Sequence, residues 1–514
     1  MSHATTVALT YPLRSFAGLY GFVCDWRIWG DHGPMTEETP VPFPALAMGA
    51  PAAHRSGHAL ALASFLTRSR QGCCLATGLH APREREVLLW FGAFEGYRAW
   101  LNEMPLENRW RERAMRIEQA LVPVRLPAGR SVLRVTVAPK VTPAFCVRVT
   151  DIDGGPAGDV TVSLPAPARE QSDPPEPGPS PFVWFSERYR ETPALTFDTT
   201  SIGAWRDWRQ ALLNRLVELI REPVLPARPP VEVVGSVACE DHERVDLRFA
   251  GVLGPVPAYL LLPRRPAGGG ALLCLHGHGW GRAEVVGIAR PRSQEAHAVR
   301  TASFGYGAEA ARKGYAVLAP EFAGFGERAD PQGTAGQHDR CHASFARGIL
   351  VGEVLAGIHL AEARAALGVL CARPEVDARR TGVIGFSFGG RMAMLLAAAD
   401  ERVRACVASG ALNTFKERLM AGASCGAELI PGLLQSADTP EIFGAIAPRA
   451  LLLELGIGDS ACPEIFATEA YRRIERIYRA AGAEDNLDVH LFRGGHRFNG
   501  EGAWPFLERM LEAR

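Results

Sequence analysis

Two stretches of this chain frame a serine with glycines at the spacing of an activated nucleophile: GFSFG at 385–389 and GASCG at 422–426. A serine hydroxyl is a weak nucleophile. It attacks a carbonyl only when a sharp turn exposes it and a base takes its proton. Context separates the two serines. Ser387 follows the apolar run TGVIGF and precedes GGRMAMLLAAA, which reads as strand, tight turn and helix. Glycines there remove the Cβ atoms that would clash where strand and helix crowd, and Gly390 extends that small-residue run. The helix start also aims free N–H groups at developing negative charge. Ser424 follows the helix-like NTFKERLM, with no strand before it. It reads as a turn residue.

Where such a serine works with an acid and a base, they follow it in the order acid, then histidine. Downstream of Ser387 the histidines are His490 and His496. His490 alternates with Val489 and Leu491 inside LDVHLF and reads as part of a strand. His496 falls in RGGHRF, just beyond that strand, and is the expected base. Asp459, in GIGDSACP after the run LLLEL, is the expected acid; Glu454 inside that run is the runner-up. An oxyanion needs two backbone donors. The N–H of Phe388 is one. The second is expected from LHGHGWG at 275–281, through the backbone of His278, with Gly279 as the alternative. His276, His278 and Glu321 also invite a metal reading, but a third clear ligand is missing, and neither a metal nor an organic cofactor is expected.

These side chains need a scaffold to hold them. From Ser201 onward the pattern begins with a helix, AWRDWRQALLNRLVELI at 204–220, placing Trp205, Trp208, Leu212, Leu216 and Leu219 on one face, with Ser201 as cap. Two strands follow, near 231–250 and 257–262. Strands and helices then alternate: strands at 271–277, 316–322, 380–386, 403–410, 449–455 and 487–492, and helices near 303–313, 347–371, 390, 464–481 and 503–512. The inner strands are continuous apolar runs, as in a parallel sheet covered on both faces. The N-terminal third differs. RSVLRVTVAP and AFCVRVTD alternate apolar and polar residues with period two, which predicts a jelly-roll-like β-sandwich at 1–164, with a short helix near 108–120. Tyr97 and Trp100 are placed in the sandwich core, with stacking on a sugar ring as the alternative. A Pro-rich linker, 165–181, separates this unit from the catalytic unit at 182–514.

At 514 residues, two domains are expected. Lys+Arg and Asp+Glu both number 56, which argues against a nucleic-acid partner. The 11 cysteines are scattered without a CxxC pair, suggesting neither a zinc cluster nor a disulfide framework. No apolar run reaches membrane-spanning length, and no leader-like segment opens the chain. A soluble cytoplasmic protein is the expectation, with a homo-oligomer left open.

With these residues in place, about 200–514 resembles the α/β-hydrolase superfamily, in particular its dienelactone-hydrolase and acetyl-xylan-esterase-like branch. The resemblance rests on LHGHG (275–279), PEFAGFGER (320–328), PEVDARRTGVIGFSFGGRMA (374–393), IPGLL…AIAPRALLLELGIGD (430–459) and GGHRF (494–498), in that order. Dienelactone hydrolases carry a Cys nucleophile; Ser387 departs from them. The resemblance implies a serine esterase acting on small or carbohydrate esters. The excursion 411–446, which holds GASCG, is expected to cap the site. A prolyl-oligopeptidase-like peptidase, an acyltransferase sharing the triad, and a non-catalytic binding protein on a hydrolase scaffold are the rival readings.

Overall fold

In this computed structural model, the described residues of the first part are 25–29, 53–56, 60–61, 73–93, 97–109, 120–137, 144–152, 157, 159–163 and 188. Those of the second are 193–198, 201–266, 268, 270–288, 305–330, 340–415, 425–456, 459, 461–462 and 464–511. The chain divides into two compact units, Met1–Glu191 and Thr192–Arg514. The expected linker 165–181 lies outside the described residues.

Every strand pairing among the first unit's described residues is antiparallel. One sheet runs Ala53–Ser56, Asp25–Trp29, Cys73–Ala81, Gly129–Val137, Tyr97–Leu101, Met104–Arg109, with Thr161–Ser163 paired to Cys73–Ala81. The other runs Leu60–Ala61, Ala144–Thr150, Arg85–Ala93, Ala120–Leu126. The period-two pattern explains both: Leu133, Val135 and Val137 from one sheet and Phe145, Val147 and Val149 from the other share one buried cluster. Tyr97 is fully buried and stacks on Phe91 at 5.5 Å, so it is a core residue, whereas Trp100 on the opposite face of its strand is half-buried. Where a helix was expected near 108–120, Met104–Arg109 and Ala120–Leu126 are strands, and 110–119 lie outside the described residues.

The second unit is built on a nine-stranded sheet. Its strands are β1 (Val231–Ala238), β2 (His242–Gly251), β3 (Gly254–Pro263), β4 (Ala271–Leu275), β5 (Ala316–Pro320), β6 (Thr381–Phe386), β7 (Ala405–Ser409), β8 (Ala450–Gly456) and β9 (Leu487–Phe492). Their spatial order is β1-β2-β3-β5-β4-β6-β7-β8-β9. β1 to β3 are antiparallel and β3 meets β5 antiparallel; from β5 to β9 every pairing is parallel. The stretch 231–250, expected as one strand, is a hairpin, with Glu240 and Asp241 in its turn between β1 and β2.

The continuous apolar runs follow from two cores. Leu273, Leu275 and Val383 face one cluster; Leu272, Cys274 and Ile384 face the other. Helices α1 (Ile202–Ile220), α4 (Leu355–Cys371), α5 (Phe388–Ala399) and α6 (Glu464–Ala480) pack on the first; α2 (Tyr306–Arg312) and α7 (Ala503–Leu511) pack on the second. Ser201 caps α1, accepting the N–H of Ala204 at 3.2 Å. The long helix expected near 347–371 is two helices, α3 (Arg340–Leu350) and α4, bent by 102°. Gly352 between them has φ +84°, a conformation that ends a right-handed helix. Among the described residues, no single helix is long and apolar enough to cross a membrane.

Chain order fixes where a site belongs. β4 is followed by β5 on one side and then by β6 on the other, so the direction of winding reverses between β4 and β6. In open α/β sheets, the crevice at the carboxyl ends of such strands is the binding position. Leu275 pairs with Gly385, which sets the 276–278 turn beside Ser387.

Candidate active site

Ser387 sits at the turn between β6 and α5 with φ 56° and ψ −119°. A non-glycine residue there is strained, and surrounding packing must hold it. The glycines supply the room. A Cβ on Gly385 would stand 2.0 Å from the Gly389 carbonyl oxygen; one on Gly389, 2.0 Å from that of Leu275. One on Gly390 would meet the Ala411 methyl at 2.6 Å. The spacing in GFSFGG is therefore a packing requirement. The Ser387 N–H is anchored to the Ser409 carbonyl at 2.8 Å. α5 is buried from Phe388 through Ala398, and its small residues let it lie close to the sheet.

His496 reaches this serine from the loop after β9. Its Nε2 lies 2.8 Å from Ser387 Oγ, and its Nδ1 lies 2.8 Å from Asp459 Oδ2. Asp459 is buried beyond the end of β8, 4% exposed. Its other oxygen, Oδ1, accepts the N–H groups of Ala461 at 2.8 Å and Cys462 at 3.1 Å. That leaves Oδ2 for the ring. Asp459 thus holds the Nδ1–H tautomer, and the Nε2 lone pair faces the serine hydroxyl. The ring also packs at 4.7 Å from Phe386.

Glu454 has a different place. It is fully buried and takes three donors: Ser409 Oγ–H at 2.7 Å, Asn499 N–H at 2.9 Å and Gly500 N–H at 2.9 Å. It ties the loop that carries His496 to β8 and, through Ser409, to β7. His490 stays with its strand, its Nε2 3.2 Å from Asn499 Oδ1.

The turn after β4 lies against the elbow. A Cβ on Gly277 would be 2.9 Å from the Phe386 carbonyl and 3.4 Å from Ser387 Cβ, and the His278 ring lies 5.3 Å from that of Phe388. Phe388 opens α5, so its N–H has no partner within the helix. His276 is buried, accepting the Phe322 N–H on Nε2 at 3.0 Å and donating Nδ1–H to the Gly277 carbonyl at 2.9 Å. Burial drives its pKa down to about 4, so the ring is neutral. Glu321 is engaged by the N–H groups of Arg282 at 2.8 Å and Glu327 at 3.2 Å. These contacts give His276 and Glu321 structural duties, and the metal reading of His276, His278 and Glu321 is not supported. His278 instead turns its Nε2 to two thiols, Cys425 and Cys341, a grouping that sequence reasoning missed.

Within the excursion 411–446, residues 416–424, including Ser424, lie outside the described residues. Beyond them Ile430, Leu433, Ile442, Phe443 and Ile446 are buried in the core on the α5 face.

A mostly parallel sheet with a glycine-framed serine at its switch point, and an Asp and a His in the loops after later strands, is the arrangement of the α/β-hydrolase fold. Residues 294–418 match the dienelactone hydrolase family, and the chain is a hydrolase. It is 28% identical over 285 residues to a Bacillus subtilis (strain 168) protein described as "Putative hydrolase YtaP", covering 53% of this chain and 89% of the relative. Among solved structures it is similar to a "putative acetyl xylan esterase" from Bacteroides fragilis NCTC 9343. That likeness has TM-score 0.52 and 18% identity, over 61% of this chain and 82% of the other, and supports the fold. A glucuronoyl esterase from Solibacter usitatus aligns with TM-score 0.46 and 15% identity, over 63% of this chain and 98% of the other.

Proposed function

We propose that the protein is a serine carboxylic-ester hydrolase that works through an acyl-enzyme. The observation that carries this reading is the unbroken hydrogen-bonded chain Ser387 Oγ, His496, Asp459, both links at 2.8 Å. His496 takes the hydroxyl proton on Nε2 as Ser387 Oγ attacks the ester carbonyl. Asp459 orients the ring and stabilises the imidazolium. The tetrahedral oxyanion is held by the backbone N–H groups of Phe388 and His278. His496 then returns the proton to the leaving alcohol, and water clears the acyl group by the same steps in reverse.

We read 411–446 as lining the alcohol or acyl side of the site, and the first unit as a jelly-roll-like β-sandwich accessory to it. Small or acylated carbohydrate esters are the proposed substrates, in keeping with the esterases named above. Turnover of p-nitrophenyl acetate by the full chain tests the reading. Burst release of nitrophenol, absent from Ser387→Ala, is expected. Equal turnover by that variant would overturn it.

A further inference from the structure

We propose that His278, Cys341 and Cys425 form a binding site for a thiophilic divalent cation, of which zinc fits the ligand set best. The three residues come from separate segments: the turn after β4, the first turn of α3, and the residue before the 3-10 turn Gly426–Glu428. Their ligand atoms all lie within 4.8 Å of one another. One ring atom, His278 Nε2, faces both sulfurs, at 2.9 Å from Cys425 Sγ and 3.9 Å from Cys341 Sγ.

A tetrahedral zinc with Zn–S of about 2.3 Å and Zn–N of about 2.0 Å sets its nitrogen and sulfur ligands roughly 3.6 Å apart. The two observed separations, 2.9 and 3.9 Å, bracket that value. Two features fix the approach. The His278 ring packs against the stacked pair Phe325 and Phe388, with centroids at 5.6 and 5.3 Å. The thiol-bearing segments are packed backbone to backbone, for a Cβ on Gly426 would stand 2.6 Å from the Cys341 carbonyl oxygen.

Ligand chemistry selects the ion. Two thiolates and an imidazole favour zinc over calcium or magnesium, which take oxygen ligands. Binding releases two thiol protons, and the two thiolate charges balance the dication. His278 is exposed and both cysteines are half-buried, so the fourth position faces water. A filled site would pin the 276–278 turn to α3 and to the end of the GASCG segment. The site does not require Ser387 to be a nucleophile, and its test reads metal rather than turnover.

The test uses the full chain, reduced and stripped of metal, and titrated with Co²⁺. We expect one equivalent to give thiolate-to-cobalt charge transfer in the near ultraviolet and tetrahedral d–d bands, both bleached by Zn²⁺. Cys341→Ser and Cys425→Ser should each weaken Zn²⁺ binding about tenfold or more against a chromophoric chelator. Cys239→Ser, remote in sequence from the site, should bind as the unaltered chain does; Cys425→Ala replaces the serine form if that fails to fold. Cobalt bands that persist in the double Cys→Ser variant, or no bands in the reduced chain, would overturn the proposal. So would a Cys341–Cys425 disulfide mapped in protein isolated without reductant, if the reduced pair then binds no metal.

Discussion

Glu454 accepts the backbone N–H of Asn499 at 2.9 Å, three residues beyond His496 in the chain. A buried carboxylate on β8, next to the edge strand β9, thus fixes the loop that carries His496, while Asp459 touches the His496 ring itself. The two acids therefore fail differently. Glu454→Gln keeps an acceptor but loses charge and turns an N–H₂ toward donors, costing about 1–3 kcal/mol of stability. A lowered melting temperature with activity reduced about tenfold is expected. Asp459→Asn should leave melting nearly unchanged and cut kcat by about a thousandfold or more. Melting curves and kcat for both variants check this; the reverse pattern would exchange their roles.

The turn at Ser387 depends on absent side chains. Gly389→Ala sets a methyl 2.0 Å from the Leu275 carbonyl, a backbone atom that cannot swing aside. Overpacking of this kind costs about 3 kcal/mol. Urea unfolding should show the loss, with esterase activity falling alongside it because α5 must move. Unchanged stability would mean that the elbow is not this tightly packed.

Two buried histidines set an acid limit on the fold. Burial holds His276 down to about 4 and His359 down to about 3. In the unfolded chain both titrate near 6.5. Above that pH neither state is protonated, and stability is at its full value. As pH falls from 6.5, the unfolded chain binds protons that the native rings refuse, and stability drops until the folded pKa values are reached. Each ring accounts for about 2 kcal/mol between pH 6.5 and 4.5. His359→Gln keeps a donor for the Ala323 carbonyl, 3.2 Å away. Its unfolding free energy should fall less steeply with acid than that of the unaltered chain; an identical slope would contradict the assignment.

Ser424 shares the glycine frame of Ser387 but no strand-to-helix turn in the sequence. Ser424→Ala is expected to retain at least half of the p-nitrophenyl acetate activity. A loss as deep as that of Ser387→Ala would make GASCG the catalytic segment.

Much of this was legible in the chain because local signals and the fold agree. The run TGVIGF followed by an Ala-rich helix marks a strand, a turn and a helix, and the glycines between them answer to the crowding at that turn. The positions of Asp459 and His496 were legible because Asp459 follows the mostly apolar strand LLLEL and His496 the alternating strand LDVHLF. Other features depend on contacts across the sequence. Glu454 looks like a rival acid until the strand register sets Ser409 beside it. The break between α3 and α4 turns on the left-handed Gly352, whose neighbours all suit a helix. His278 and Cys425 are 147 residues apart, and no spacing rule joins them.

The central claim is that Ser387 is the nucleophile. A fluorophosphonate probe, incubated with the full chain and followed by peptide mass spectrometry, tests it most directly. The account predicts one adduct, on Ser387, formed at a rate that collapses in His496→Ala. An adduct on Ser424 with Ser387 unmodified, or none on either serine, would contradict it.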